Sequence, residues 1–312
     1  EPNQGLRYMF QMMNEARIMV GVNATATASA AYYESLSYAL DRKQGRELGA
    51  RGGEMVPIVQ HADVRRMLLR QKAIVEGSLA LLATVSRYAD LAEHGATPEA
   101  RERASILLDL LTPVAKTFPA ERGFEANALA IQVLGGYGYT SEYLPESYMR
   151  DQKLNTLHEG TSGIQSMDLL GRKVMAKSGA SLRALAEEIG ATIGRAREAG
   201  VDGELCDALE AAVATVGTIT MELGQRGMSG DANAMLGHSW DYLDMFSTLV
   251  IGWQWLHMAA AAQSATMREG RKHGVEAATR YWIRTEVPRV AILADLCRSN
   301  ESSYIDAQPN WF

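Results

Sequence analysis

Residues 132–165 read QVLGGYGYTSEYLPESYMRDQKLNTLHEGTSGIQ and carry the strongest signal for the fold and chemistry of this chain. A glycine-rich turn follows an apolar helical run, and one carboxylate, Glu159, stands directly before Gly160 and Thr161. A glutamate in an apolar pocket is a stronger base, because burial disfavours its charged form. Taken alone, Glu159 could equally be an acidic residue in the first turn of a helix, and the glycines an ordinary helix C-cap.

Apolar residues recur every three or four positions outward from this stretch, which is the period of a helix. The glycine-rich segment 45–53 predicts a loop, and Pro113 predicts a kink in the helix that contains it. Long helices with short connections are typical of an antiparallel four-helix bundle. The four helices of this bundle are expected over residues 6–42, 61–94, 98–134 and 159–177.

The part of the chain beyond Gly179 predicts a second set of helices without a catalytic constellation. Its histidines are not at metal-ligand spacing, so we predict no metal site. Helices are expected over residues 180–199, 204–226, 231–268 and 274–296, with a local break at Pro288. We therefore predict an all-α fold in which residues 1–177 form a helical bundle and residues 178–312 a second helical domain.

Composition excludes several classes of protein. The net charge of −6 over 312 residues disfavours a nucleic-acid-binding protein, which would need a basic face. No apolar run approaches the roughly 20 residues that span a bilayer. Only two cysteines are present, Cys206 and Cys297, which favours a reducing, cytoplasmic compartment over a disulfide scaffold. The first five residues read as a loop, and we interpret the chain as the C-terminal fragment of a longer protein.

The order of residues in 132–165 resembles the acyl-CoA dehydrogenase family, in which the glutamate of a Glu-Gly-Thr step removes a proton from an acyl thioester. The resemblance implies that Glu159 is the catalytic base. The family's flavin-contacting Gln-x-x-Gly-Gly turn stands at the same distance before the base, and FAD is the implied cofactor. The implied cofactor-binding residues are Arg42, Gln132, Gly135, Gly136, Thr161 and Gly163, the last of which stands where many relatives have a glutamine.

The first helix supports the same resemblance. Arg17 corresponds to an arginine that lines the acyl-CoA entrance, and Arg42 to one that reaches the flavin diphosphate of a neighbouring subunit. The guanidinium suits both roles because its planar fork binds phosphate oxygens in pairs, although either arginine could be a solvated surface charge. Some relatives carry their base on this helix, where this chain has Ala16. The implied substrate-binding residues are Asn14, Arg17 and Gly160.

The resemblance implies an FAD-dependent dehydrogenation of an acyl-CoA to a 2-enoyl-CoA, with electrons passed to an electron-transferring flavoprotein. The family's N-terminal helical domain and middle β-domain would precede this chain, so we expect the chain alone to be inactive and the protein to form a homodimer or larger oligomer. Residues 178–312 resemble the extra helical domain of a larger subgroup that includes 3-methylmercaptopropionyl-CoA dehydrogenases. Two alternatives stay open: an acyl-CoA oxidase, and a non-catalytic helical relative that oligomerises or associates with DNA.

Overall fold

The structure is a computed structural model that describes residues 2–50 and 52–312. The predicted all-α fold is confirmed, since the only β pairing in these residues is an isolated bridge between Lys43 and Pro57. That bridge closes the predicted loop 45–53, in which Arg51 lies outside the described residues. None of the helices in the described part of the chain is long and apolar enough to cross a membrane.

Twelve α-helices follow one another along the described chain. The three longest lie at the start of the chain, where the first three helices were predicted. Of these, α3 continues without interruption through Pro113. The helices are α1 (Gly5–Asp41), α2 (Ala62–His94), α3 (Pro98–Leu134), α4 (Pro145–Leu154), α5 (Ser162–Asp168), α6 (Ala176–Glu198), α7 (Gly203–Met228), α8 (Ala232–Leu236), α9 (Ser239–Ser264), α10 (Glu269–Tyr281), α11 (Arg289–Ser299) and α12 (Ser303–Asp306).

Two predicted helices are divided in the structure. The helix predicted over 159–177 is replaced by the short α5 and a π-helical turn over Leu169–Lys173. The helix predicted over 231–268 is interrupted between α8 and α9, where the buried His238 ring is hydrogen-bonded to Asp241 at 2.9 Å. The predicted break at Pro288 is confirmed, because a second π-helical turn precedes it and α11 begins after it.

The chain divides into two compact units, of which unit 1 comprises residues 1–82 and 115–159. The buried face of α1 repeats every three or four residues and is rich in small side chains, among them Ala24, Ala28 and Ala31. Small residues bring helices close together: a Cβ on Gly21 would lie 2.1 Å from the carbonyl oxygen of Ala115. At Gly21, therefore, α1 and α3 come into close backbone contact within unit 1.

Unit 2 comprises residues 83–114 and 160–312 and is built around α9. This helix is buried along most of its length and contacts α5, α6, α7, α10 and α11. Two buried hydrogen bonds join it to its neighbours: Trp253 Nε1 donates to Thr192 Oγ1 at 2.9 Å, and the Thr248 carbonyl accepts from Trp282 Nε1 at 3.1 Å. The domain boundary predicted between residues 177 and 178 stays a prediction.

Candidate active site

The predicted base lies in a left-handed turn that precedes α5. Glu159 has φ 56° and Gly160 has φ 90°, and the next residue, Thr161, is the N-cap of α5. The Thr161 hydroxyl accepts a hydrogen bond from the Ile164 N–H at 3.4 Å. Two consecutive residues with positive φ cannot form a right-handed helical turn. The prediction of a helix starting at Glu159 is therefore wrong, and so is the alternative that Glu159 occupies a first helical turn.

The backbone conformation of Glu159 is unusual for a residue with a side chain. Left-handed geometry costs such a residue about 1–2 kcal/mol, and it persists where the surroundings impose it. The following residue has a clear reason to be glycine: a Cβ on Gly160 would lie 2.7 Å from Nε2 of Gln165, whose side chain is fully buried. The backbone of Gly160 and the packing of Gln165 thus constrain the sequence of this turn.

A group of charges around a buried lysine in unit 1 includes Glu159, which is itself half-buried. Lys116, in the middle of α3, is 0% exposed, and its ammonium interacts electrostatically with Glu121, Arg17 and Glu159. Burial lowers the pKa of Lys116 to about 8; among its charged neighbours, Glu121 and Glu159 raise this pKa and Arg17 lowers it. We call Arg17, Lys116, Glu121 and Glu159 the charge cluster.

The front of α1 supplies the predicted substrate contacts. Arg17 is only 4% exposed, so the alternative that it is a solvated surface charge is wrong. Asn14 lies three residues earlier, on the same face of the helix, and is half-buried. Glu15 is exposed and points to a different face from Arg17. The assignment of Asn14, Arg17 and Gly160 to substrate binding stays a prediction.

Predicted cofactor residues from two distant parts of the sequence lie together in unit 1. The Arg42 guanidinium is 5.9 Å from the centroid of the Tyr137 ring, in the glycine-rich turn. Tyr137 also packs against Tyr143, with centroids 5.5 Å apart, and against Tyr38, with centroids 6.4 Å apart. Arg42 itself is exposed, where a charged ligand could reach it.

The glycines of this turn differ in what surrounds them. Gly135 has φ 62°, as a glycine at a helix C-terminus often has, and no atom lies within 4 Å of a Cβ built on Gly135 or Gly136. Both are exposed, as is Gln132 one turn earlier. Gly138 is buried instead, and its Cβ would meet the Ile131 carbonyl oxygen at 2.6 Å. The open surface at this turn therefore belongs to Gly135 and Gly136, whereas Gly138 is needed for packing.

The other two predicted cofactor residues belong to unit 2. Thr161 is exposed, and its side chain caps α5. Gly163 is exposed in the first turn of α5, with no atom within 4 Å of a Cβ built on it. Their assignment to cofactor binding stays a prediction.

Sequence reasoning missed Lys116 and the tyrosines that pack around Arg42. Lys116 lies in the apolar run LLTPVAKTFPA, residues 110–120, and all of these residues are buried. A lysine surrounded by apolar residues inside a helix that contains two prolines is a signal that could have been noticed. Tyr38 lies one helical turn before Arg42, a spacing that places both side chains on one face.

Two family models match the chain. The model for the acyl-CoA dehydrogenase C-terminal domain matches residues 3–175, and the acetyl-CoA dehydrogenase C-terminal-like model matches residues 185–308. The chain belongs to the acyl-CoA dehydrogenase family. The turn that holds Glu159 and the contact between Arg42 and Tyr137 both fall within the first matched range.

Curated acyl-CoA dehydrogenases match the chain over both ranges. The 3-methylmercaptopropionyl-CoA dehydrogenase of Ruegeria pomeroyi is 40% identical over 86% of this chain and 46% of its own length. The broad-specificity linear acyl-CoA dehydrogenase FadE5 of Mycobacterium tuberculosis is 33% identical over 85% of this chain and 45% of its own length. The chain thus spans about half the length of these relatives.

Among solved structures, the acyl-CoA dehydrogenase complexed with FAD from Bacillus anthracis has the same fold. It superposes with a TM-score of 0.76 over 96% of this chain and 51% of its own, at 19% identity. At this identity the similarity establishes the fold alone. The likeness extends beyond residue 175 and therefore includes helices of unit 2.

Proposed function

We propose that this chain supplies the catalytic base and part of the cofactor site of an FAD-dependent acyl-CoA dehydrogenase. The observation that carries the proposal is the left-handed turn at Glu159, whose carboxylate belongs to the charge cluster around the buried Lys116. A base that removes a proton next to a thioester needs a fixed position and an environment that controls its charge. The left-handed turn constrains the backbone of Glu159, and Arg17 and Lys116 place positive charge in the same cluster.

The chemistry assigned to this chain's own residues is proton transfer and stabilisation of charge. The Glu159 carboxylate accepts the α-proton of the acyl group and becomes neutral. The negative charge that develops on the thioester oxygen is held by the Glu159 backbone N–H, as the family resemblance implies, and nearby positive charge favours the same transition state. The lack of a side chain on Gly160 lets the acyl thioester approach the backbone closely.

The residues around Arg42 suit a flavin dinucleotide. The exposed guanidinium provides the positive charge that a diphosphate requires, and Gly135 and Gly136 leave space for a ring or sugar to lie against the backbone. Because these glycines follow the C-terminus of α3, the turn presents carbonyl groups more readily than N–H groups. FAD, when bound, supplies the acceptor for the hydride that leaves the β-carbon. Gln132, Thr161 and Gly163 complete the proposed set of cofactor contacts.

Several large apolar side chains on α1 are exposed, which favours an interface between this helix and another domain or chain. Met12, Met19, Tyr33 and Leu40 are 71%, 56%, 59% and 57% exposed. Exposed apolar surface of this kind commonly marks an interface. We propose that the N-terminal domains of a longer protein and a second copy of the chain cover it, and that an electron-transferring flavoprotein accepts the electrons.

Both cysteines are buried free thiols, in keeping with a cytoplasmic location.

Replacing Glu159 with glutamine tests the proposal. The protein to use joins this chain to the N-terminal half found in its relatives, with FAD bound. Glu159→Gln retains the shape of the side chain but cannot accept a proton, so we expect turnover to fall by about 10²–10⁴-fold or more while acyl-CoA still binds. Glu15→Gln is the matched control, because Glu15 is exposed on α1 beside the position where some relatives carry their base.

Near-normal turnover in Glu159→Gln, or an equal loss in Glu15→Gln, would contradict the assignment of the base. Oxygen uptake recorded in the same assay distinguishes a dehydrogenase from an oxidase. Rapid consumption of oxygen without an added electron acceptor would favour the oxidase.

A further inference from the structure

Arg42 stands at the C-terminus of α1, and its backbone is held on both sides. Its N–H donates to the carbonyl of Tyr38 at 2.8 Å, and its carbonyl accepts from the Ile58 N–H at 2.8 Å. The side chain is exposed, and an exposed arginine that samples many rotamers loses this freedom when it binds an anion. A contact that restricts the guanidinium beforehand therefore favours binding.

Three tyrosine rings form a closed cluster beside this arginine. Tyr38 comes from α1, Tyr137 from the glycine-rich turn after α3, and Tyr143 from the segment just before α4. The ring centroids of Tyr38 lie 6.4 Å from those of Tyr137 and 6.1 Å from those of Tyr143. Tyr137 and Tyr143 are 5.5 Å apart, so each ring contacts the other two. We call these three residues the tyrosine cluster.

Tyr137 is the ring of the tyrosine cluster that meets the guanidinium. Cζ of Arg42 lies 5.9 Å from the centroid of this ring, within the distance over which the face of an aromatic ring attracts a cation. The backbone of Tyr137 is held as well, because its carbonyl accepts from the N–H of Thr140 at 3.1 Å and from the Thr140 hydroxyl at 2.9 Å. A ring held by two other rings and by its own turn is a rigid surface for the guanidinium.

We propose that Tyr137 is a positioning residue for the cofactor, whose ring holds the Arg42 guanidinium in place for a flavin diphosphate before FAD binds. This inference rests on the proposed role of Arg42 in FAD binding. An aromatic ring suits the task because it restrains the cation without neutralising it, whereas a carboxylate would occupy the N–H groups that a phosphate needs. Gly135 and Gly136, in the same turn as Tyr137, leave open space at the site.

The affinity of the complete, oligomeric enzyme for FAD tests this role in a double-mutant cycle. Tyr137→Leu removes the aromatic face, and we expect the FAD dissociation constant to rise about two- to five-fold, the factor that a cation–π contact at an exposed site supplies. Tyr137→Phe retains the ring and should bind FAD as the original enzyme does. When Arg42 is already alanine, Tyr137→Leu should weaken binding no further.

The same cycle can overturn the proposal. If Tyr137→Leu raises the dissociation constant by the same factor with and without the Arg42 side chain, the ring acts on the cofactor or on the fold and not through Arg42. A loss of affinity in Tyr137→Phe as large as that in Tyr137→Leu would also refute a role for the ring face.

A second measurement needs no cofactor. In this chain labelled with 13C and 15N at arginine, the ring current of Tyr137 should move the side-chain proton resonances of Arg42 upfield. This shift should disappear in Tyr137→Leu and persist in Tyr137→Phe. Tyr139→Leu is the control, because the Tyr139 side chain is 85% exposed in the same turn, and the shift should persist there too.

An upfield shift that persists in Tyr137→Leu would show that this ring does not hold the guanidinium, and would overturn the proposal. The failure of the proposed function looks different. If the shift disappears in Tyr137→Leu but Arg42→Ala leaves FAD binding unchanged, the contact exists and the proposed role of Arg42 in FAD binding is wrong, and with it the purpose assigned to the contact.

Discussion

Replacing Gly160 with alanine should destabilise the chain through the turn that carries Glu159. Alanine at φ 90° costs about 1–2 kcal/mol of backbone strain. Its Cβ would lie 2.7 Å from Gln165 Nε2, and because Gln165 is fully buried, the displacement it requires adds roughly 1–3 kcal/mol. The reduced freedom of the unfolded chain offsets about 0.4–1 kcal/mol. We expect the free energy of unfolding to fall by about 2–4 kcal/mol, or roughly 30- to 1000-fold in the folding equilibrium.

Gly163→Ala is the matched control, since Gly163 lies three residues away with open space at its Cβ position and a helical backbone. Alanine there should leave stability unchanged or raise it by about 0.5–1 kcal/mol. Urea unfolding of the three chains, followed by far-UV circular dichroism, gives the comparison. If Gly160→Ala unfolds at the same urea concentration as Gly163→Ala, the left-handed turn is not an obligatory part of the fold.

Three further outcomes can be measured on variants of the same protein. Gly21→Ala should lower the midpoint temperature of thermal unfolding, because the new Cβ would lie 2.1 Å from the backbone oxygen of Ala115. Gly190→Ala is the control: no atom lies within 4 Å of a Cβ built at this position on α6, so this variant should raise the midpoint temperature or leave it unchanged. Arg42→Ala in the complete enzyme should weaken FAD binding by about 1.5–3 kcal/mol without loss of folding, and an unaltered FAD dissociation constant would make Arg42 an ordinary surface charge. The pKa of Lys116 is lowered from 10.5 to about 8 in the folded chain, so the unfolded chain binds more protons between these two pH values. Relative to Lys116→Met, the free energy of unfolding of the original chain should therefore rise with pH through this window, by up to about 1.4 kcal/mol per pH unit. A difference between the two chains that does not change with pH would contradict the burial of the Lys116 charge.

The first three helices were predictable because their determinants are local. Apolar residues at a helical period define α1 and α2, and Pro98 occupies the first position of α3, where a missing N–H does no harm. The glycines of segment 45–53 mark the loop between α1 and α2. In each case the deciding residues lie inside or next to the element that they specify.

The geometry around Glu159 depends on residues that are distant in sequence, and the pattern could not predict it. Nothing in the local sequence requires a glutamate to adopt a positive φ, since glycine and asparagine are the usual choices. The apolar neighbours of Lys116 on α3 indicate its burial, whereas the charges near its ammonium include Arg17 of α1 and Glu159 of the turn after α4. Family resemblance predicted that Glu159 is the base, but its backbone conformation and its charged neighbours required the structure.

The helices α2 and α3 have a consequence for any attempt to shorten this protein. Residues 83–114, which include the end of one helix and the start of the other, belong to unit 2. There Thr84 Oγ1 donates to Gln254 Oε1 at 2.9 Å, and Arg103 pairs with Glu187 at 2.7 Å. A truncation after residue 177 would remove Gln254 and Glu187, and with them both of these interactions. Deleting the C-terminal region would therefore disrupt a compact unit, and a lineage that lost this region would need new residues at the end of α2 and at the start of α3.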